Sequence, residues 1–79
     1  MKRNDVSMVA LLEWMNSQLS NYDNCDDCRF TSVLQLREYD QDGCNWSSAN
    51  LQCSGVPVDV CAQIANDIVA HAKRLFNVK

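Results

Sequence analysis

Residues 29–53 read RFTSVLQLREYDQDGCNWSSANLQC, and the fold turns on how this stretch is paired. Asp42-Gly43 between two alternating runs is a strong short-range hairpin signal, because a type I′ turn needs φ > 0 at both central residues. With those two at the turn, Leu34 faces Leu51, Leu36 faces Ala49 and Ser32 faces Cys53. Tyr39 then faces Trp46, and Arg37 faces Ser48. One sheet face is mostly apolar (Phe30, Leu34, Leu36, Ala49, Leu51, Cys53). The other is mixed (Thr31, Val33, Gln35, Arg37, Tyr39, Cys44, Trp46, Gln52). A slip of one residue would swap the faces of one strand, so the agreement between the two runs supports the register.

Working outward, residues 5–20 carry Met8, Leu11, Leu12, Met15 and Leu19 at spacings of three and four, one apolar stripe of a helix. Asn4 or Asp5 is the expected N-cap, and Trp14 is expected at the core edge. Residues 20–27 are rich in turn formers and read as a loop. After the hairpin, Ser54-Gly55 breaks the strand, and Pro57 suits the first turn of a helix. That helix is expected from about Pro57 to Phe76. Its apolar face is Val60, Cys61, Ile64, Ala65, Ile68, Ala72 and Leu75, and Lys73 and Arg74 complement the negative dipole end.

The expected fold is therefore a single α+β domain over residues 1–79, in the order α-β-β-α. An antiparallel β-hairpin carries both helices on its apolar face. This arrangement leaves the Tyr39/Trp46 face uncovered. Because a lone two-stranded sheet is marginal, either a third short strand or pairing between sheet edges in a homodimer is expected.

The chain has 79 residues, 7 basic and 10 acidic, for a net charge of −3. That balance argues against direct nucleic-acid binding driven by phosphate contacts. No leader or membrane-spanning run is visible, so a cytoplasmic location with reduced thiols is expected. Five cysteines cannot all pair within one chain.

Cys25-Asp26-Asp27-Cys28 has the spacing of a redox motif, but a reactive thiolate needs cations or a helix N-terminus nearby, and here two aspartates separate the thiols. A zinc-stabilised domain is the alternative reading. In the hairpin register Cys25, Cys28, Cys53 and Cys61 converge at the open end, where four thiolates would make a tetrahedral site. Glu38-x-Asp40-x-Asp42-Gly43 resembles half of a calcium loop, yet Ala49 stands where the bidentate glutamate should be. His71 is expected in a surface ion pair with Asp67, four residues earlier. No nucleophile–base pattern and no phosphate loop is present, so neither an enzyme nor a cofactor is expected.

The remaining signal is a surface. Asp23, Asp26, Asp27, Glu38, Asp40 and Asp42 stand against only Arg29 and Arg37 in residues 23–42, a net of −4 (2 minus 6). With Tyr39 and Trp46 as aromatic anchors, these acids form a candidate site for a protein partner with a basic surface.

In overall character, and with the distinctive run Asp42-Gly43-Cys44-Asn45-Trp46-Ser47, the chain resembles the small accessory proteins of phages and prophages, including anti-CRISPR proteins. The resemblance is one of type and carries no functional residue over. It implies a non-enzymatic protein-binding inhibitor that occludes a basic, nucleic-acid-binding surface on a host defence complex such as CRISPR-Cas.

Overall fold

The first helix begins at Ser7, whose hydroxyl accepts the Ala10 N–H at 3.1 Å. This is a computed structural model, and it describes residues 3–41, 43–55 and 57–79. Helix α1 spans Met8–Leu19 and buries Leu11, Met15 and Leu19, the centre of the expected stripe. Asn4 and Asp5, expected as caps, instead lie in a short strand β1, Asn4–Val6. The cap falls to Ser7 because its extended backbone (φ −67, ψ 157) lets the hydroxyl reach the free amides of the first turn.

A short 3-10 turn, Asp23–Cys25, leads into β2, Cys28–Gln35, which pairs antiparallel with β3, Trp46–Cys53. Helix α2 covers Asp59–Leu75 and buries Cys61, Ala65, Ile68 and Ala72. Val60, expected on the apolar face, is exposed in the first turn, ahead of the core. The chain then turns extended at Phe76 and forms β4, Phe76–Val78, rather than a last helical residue. Strand β4 lies parallel to β1, with Asn4 opposite Phe76 and Val6 opposite Val78, and Lys79 N–H donates to the Val6 carbonyl at 2.8 Å.

The α+β class, the two helices and the central hairpin are as expected. The hairpin register is not. Cys28 faces Cys53, Phe30 faces Leu51, Val33 faces Ala49 and Gln35 faces Trp46. The strands end at Gln35 and Trp46, so the connection is a ten-residue loop, 36–45. Gly43 does take a positive φ (+83), but it closes a turn that starts at Asp40, whose carbonyl accepts its N–H at 3.0 Å. Asp42 lies outside the described residues.

Two register shifts, one beside Thr31 and one beside Ser47, change which side chains face inward. Phe30, Val33 and Trp46 go in, while Leu34 points out at 60% exposure. The physical reason is size. An indole buries more apolar surface than a leucine, and burial is worth about 25 cal/mol per Å². The strands therefore shift to place Trp46, rather than Leu34, in the core.

The core is one cluster in which both helices pack on the hairpin. Leu11, Met15 and Leu19 of α1 and Ala65, Ile68 and Ala72 of α2 meet Phe30, Val33 and Trp46. Trp14 is half-buried at its edge, in edge-to-face contact with Phe76 (5.2 Å) and His71 (5.7 Å). The molecule is elongated, 36 × 19 × 18 Å.

Candidate binding surface

Trp46, expected as a surface anchor, is fully buried. Its indole N–H donates to the Phe76 carbonyl at 3.1 Å, and it makes no cross-strand pair with Tyr39. Tyr39 itself is exposed, at 65%. Its neighbours Gly43, Cys44 and Asn45 are likewise structural. The Asn45 side chain donates to the Val78 carbonyl (2.6 Å) and accepts the Val78 N–H (2.9 Å). The buried Asn77 side chain accepts the Asn45 N–H (3.2 Å) and donates to the Gly43 carbonyl (3.1 Å). Two asparagines thus act as peptide mimics that fasten the C-terminal strand to the hairpin loop. Cys44 is buried and unpaired, its thiol directed to the Trp46 carbonyl at 3.3 Å.

The acids expected in one patch fall into two groups. Glu38 and Asp40 sit in the hairpin loop. Asp40 is half-buried and structural, since its carboxylate accepts the Cys44 N–H at 3.0 Å and pairs with Lys73 at 3.6 Å. Asp23, Asp26 and Asp27 are exposed at the opposite end, beside the start of α2. Lys73 and Cys61 mark the two levels on α2. Twelve residues at 1.5 Å each separate them by about 18 Å, so the two groups cannot contact one small epitope together.

Four cysteines do come together at the open end of the hairpin, as the sequence suggested, but as two disulfides. Cys25 pairs with Cys61 and Cys28 with Cys53, with Cα–Cα distances of 5.4 and 3.9 Å. Paired in this way, the four sulfurs are bonded to one another and present no thiolates to a zinc ion. Among the described residues no group of three or more His, Cys, Asp or Glu side chains could hold a metal ion. His71 lies exposed against Trp14, and no Asp67–His71 ion pair forms among the described residues. Asp67 accepts instead from Gln63 at 3.2 Å.

The bridges brace a surface that sequence reasoning missed in part. Tyr22, Val58 and Val60 are each about half exposed, at 46–47%. Tyr22 adjoins Asp23 in sequence, Val58 and Val60 flank Asp59, and the Cys25–Cys61 bridge joins the two segments; Asp23, Asp26, Asp27 and Asp59 are all exposed. The Ser54 N–H donates to the Asp27 carbonyl at 2.8 Å, continuing the ladder past the strand ends. Tyr22 was hidden in a loop of turn formers, and Val60 looked like a core position by its helical spacing. The available signal was their closeness in sequence to Cys25 and Cys61.

At the other end a shallow cleft of about 330 Å³ lies between the hairpin loop and the chain end, lined by Asp5, Gln35, Arg37, Tyr39 and Lys79 among others. Its charges are of both signs. No helix among the described residues is long and apolar enough to cross a membrane. Geometry and bridges define a small disulfide-braced α+β domain. Comparison with protein-family models, curated proteins and solved structures finds no match.

Proposed function

We propose that this chain is a non-enzymatic protein-binding module, of the inhibitor type, that covers a basic surface on its partner. The observation that carries the reading is the bridge-braced end. There the Cys25–Cys61 bridge joins a segment carrying exposed Tyr22, Asp23, Asp26 and Asp27 to one carrying exposed Val58, Asp59 and Val60. An aromatic anchor with flanking apolar area supplies affinity. Surrounding acids steer a basic partner and reject acidic ones. Two crosslinks hold the backbone in place before binding, which lowers the ordering cost.

The bridges also bear on where the module works. Disulfides persist in oxidising compartments and are rare in the cytoplasm. The bridges support action in an oxidising compartment rather than in the expected cytoplasm, with the partner among proteins exposed there. A CRISPR-Cas complex, the target implied by the resemblance to anti-CRISPR proteins, would meet this chain with its thiols reduced.

Capture of partners by the oxidised chain from an extracytoplasmic protein fraction tests the proposal. A stoichiometric, basic-surfaced partner is expected. It is expected to be lost on raising salt and with Tyr22→Ala/Asp26→Lys/Asp27→Lys, a variant altered only at exposed positions. Binding that survives this triple change rules out the surface. A partner bound only by the reduced chain from a cytoplasmic lysate rules out the compartment.

A further inference from the structure

The hairpin has two long edges, and only one is managed. On β2, Phe30 turns its N–H and C=O away from β3, and the Asn16 side chain meets both, accepting at 2.7 Å and donating at 3.1 Å. Antiparallel pairs alternate between bonded and non-bonded. Leu51, opposite Phe30, therefore also turns its backbone groups outward, to the far edge of β3. The same alternation along β3 turns Ala49 and Cys53 outward. Among the described residues, no bond from another segment reaches the backbone groups of these three residues.

This edge lacks the usual protections. An exposed strand edge is commonly guarded by charge, proline or a covering segment. From Trp46 to Gly55 the chain has no charged residue and no proline. The register shift beside Ser47 lies at one end and leaves Ser48–Cys53 regular.

We propose that β3 pairs antiparallel with β3 of a second copy of this chain, about a two-fold axis through Leu51. The hairpins then form one four-stranded sheet. This register makes Leu51 face its own counterpart and Ala49 face Cys53, so all six outward backbone groups on each strand are bonded. On the core side, Leu51 meets Leu51 and extends the apolar cluster, against which Ala49, Leu51 and Cys53 already pack. On the open side, Asn50 faces Gln52, a carboxamide pair. No like charges meet, so nothing in the strand repels its own copy. The interface is isologous and closes at two chains.

Sedimentation equilibrium of the oxidised chain tests this, with Asn50 and Gln52 as the handles because both are exposed. A mass of twice 9.0 kDa is expected for the wild type, and a 9.0 kDa species persisting at hundreds of micromolar overturns the proposal. Asn50→Lys/Gln52→Lys places like charges opposite each other twice and is expected to weaken the dimer about tenfold or more. Asn50→Lys/Gln52→Glu places opposite charges there and is expected to keep it. Circular dichroism verifies that both variants fold. Equal dimerisation of the two variants overturns the register. An edge that takes an unrelated extended peptide while the chain stays monomeric overturns the second copy as its occupant.

Discussion

Trp46 and Phe76 lie 30 residues apart and are joined by one hydrogen bond, indole N–H to carbonyl at 3.1 Å. The bond places the largest buried side chain of the core against the C-terminal strand, so the hairpin and the chain end fold as one unit. Trp46→Ala is expected to cost about 3–5 kcal/mol, a large share of what a domain this small commands. Trp46→Phe keeps most of the burial but strands the Phe76 carbonyl and is expected to cost about 1–3 kcal/mol. Tyr39→Ala, at an exposed position, is expected within about 0.5 kcal/mol of wild type. Urea melts of the three variants check this order, and a Trp46→Ala protein as stable as wild type would refute the buried position.

Cys25–Cys61 and Cys28–Cys53 close loops of 36 and 25 residues by sequence separation. Loop-closure entropy gives about 3.5–4 kcal/mol for each taken alone. Reductant is expected to lower the melting temperature by tens of degrees or to unfold the chain, and a chelator to leave it unchanged. The opposite pattern, stability lost to chelator and indifferent to reductant, would restore the zinc reading.

Asn45 and Asn77 make four hydrogen bonds between the hairpin loop and β4. Asn45→Ala leaves both backbone groups of buried Val78 unpaired and is expected to cost about 1–3 kcal/mol. Hydrogen exchange at the Val78 amide should speed up more than exchange at Ala65 in α2. Equal effects at both amides would mean that β4 is not a separately fastened element.

Gly43 and Gly55 have φ of +83 and +82. An L side chain there costs about 1–2 kcal/mol. A Cβ at Gly55 meets nothing within 4 Å, whereas at Gly43 it reaches the Arg3 guanidinium at 3.5 Å. Backbone strain should therefore dominate in both Gly→Ala variants, with similar losses of stability by thermal melting. A neutral Gly55→Ala would show that the turn relaxes.

Much of this was legible from local pattern. The helices announced themselves because Leu11, Met15 and Leu19, and Cys61, Ala65, Ile68 and Ala72, recur at helical spacing, which any apolar environment will bury. The hairpin announced itself by two strand-like runs around Asp42-Gly43. The meeting of Cys25, Cys28, Cys53 and Cys61 at one end followed from the hairpin, whose strand ends meet in any nearby register, together with the inward face of Cys61 at the start of the next helix. In the candidate surface, Asp23, Asp26 and Asp27 were visible as exposed acids, whereas Tyr22 and Val60 were not singled out.

What the chain order by itself determined is the set of elements and their apolar faces, since these depend on residues a few positions apart. The tertiary structure decided the register, the burial of Trp46, the division of the acids into two ends and the pairing of thiols as disulfides. Each depends on residues far apart in sequence. The three-residue strands β1 and β4 are too short to signal themselves, yet their pairing brings Phe76 to the indole. Once Trp46 gains that partner and a buried site, its gain outweighs that of Leu34, and the register follows the larger side chain.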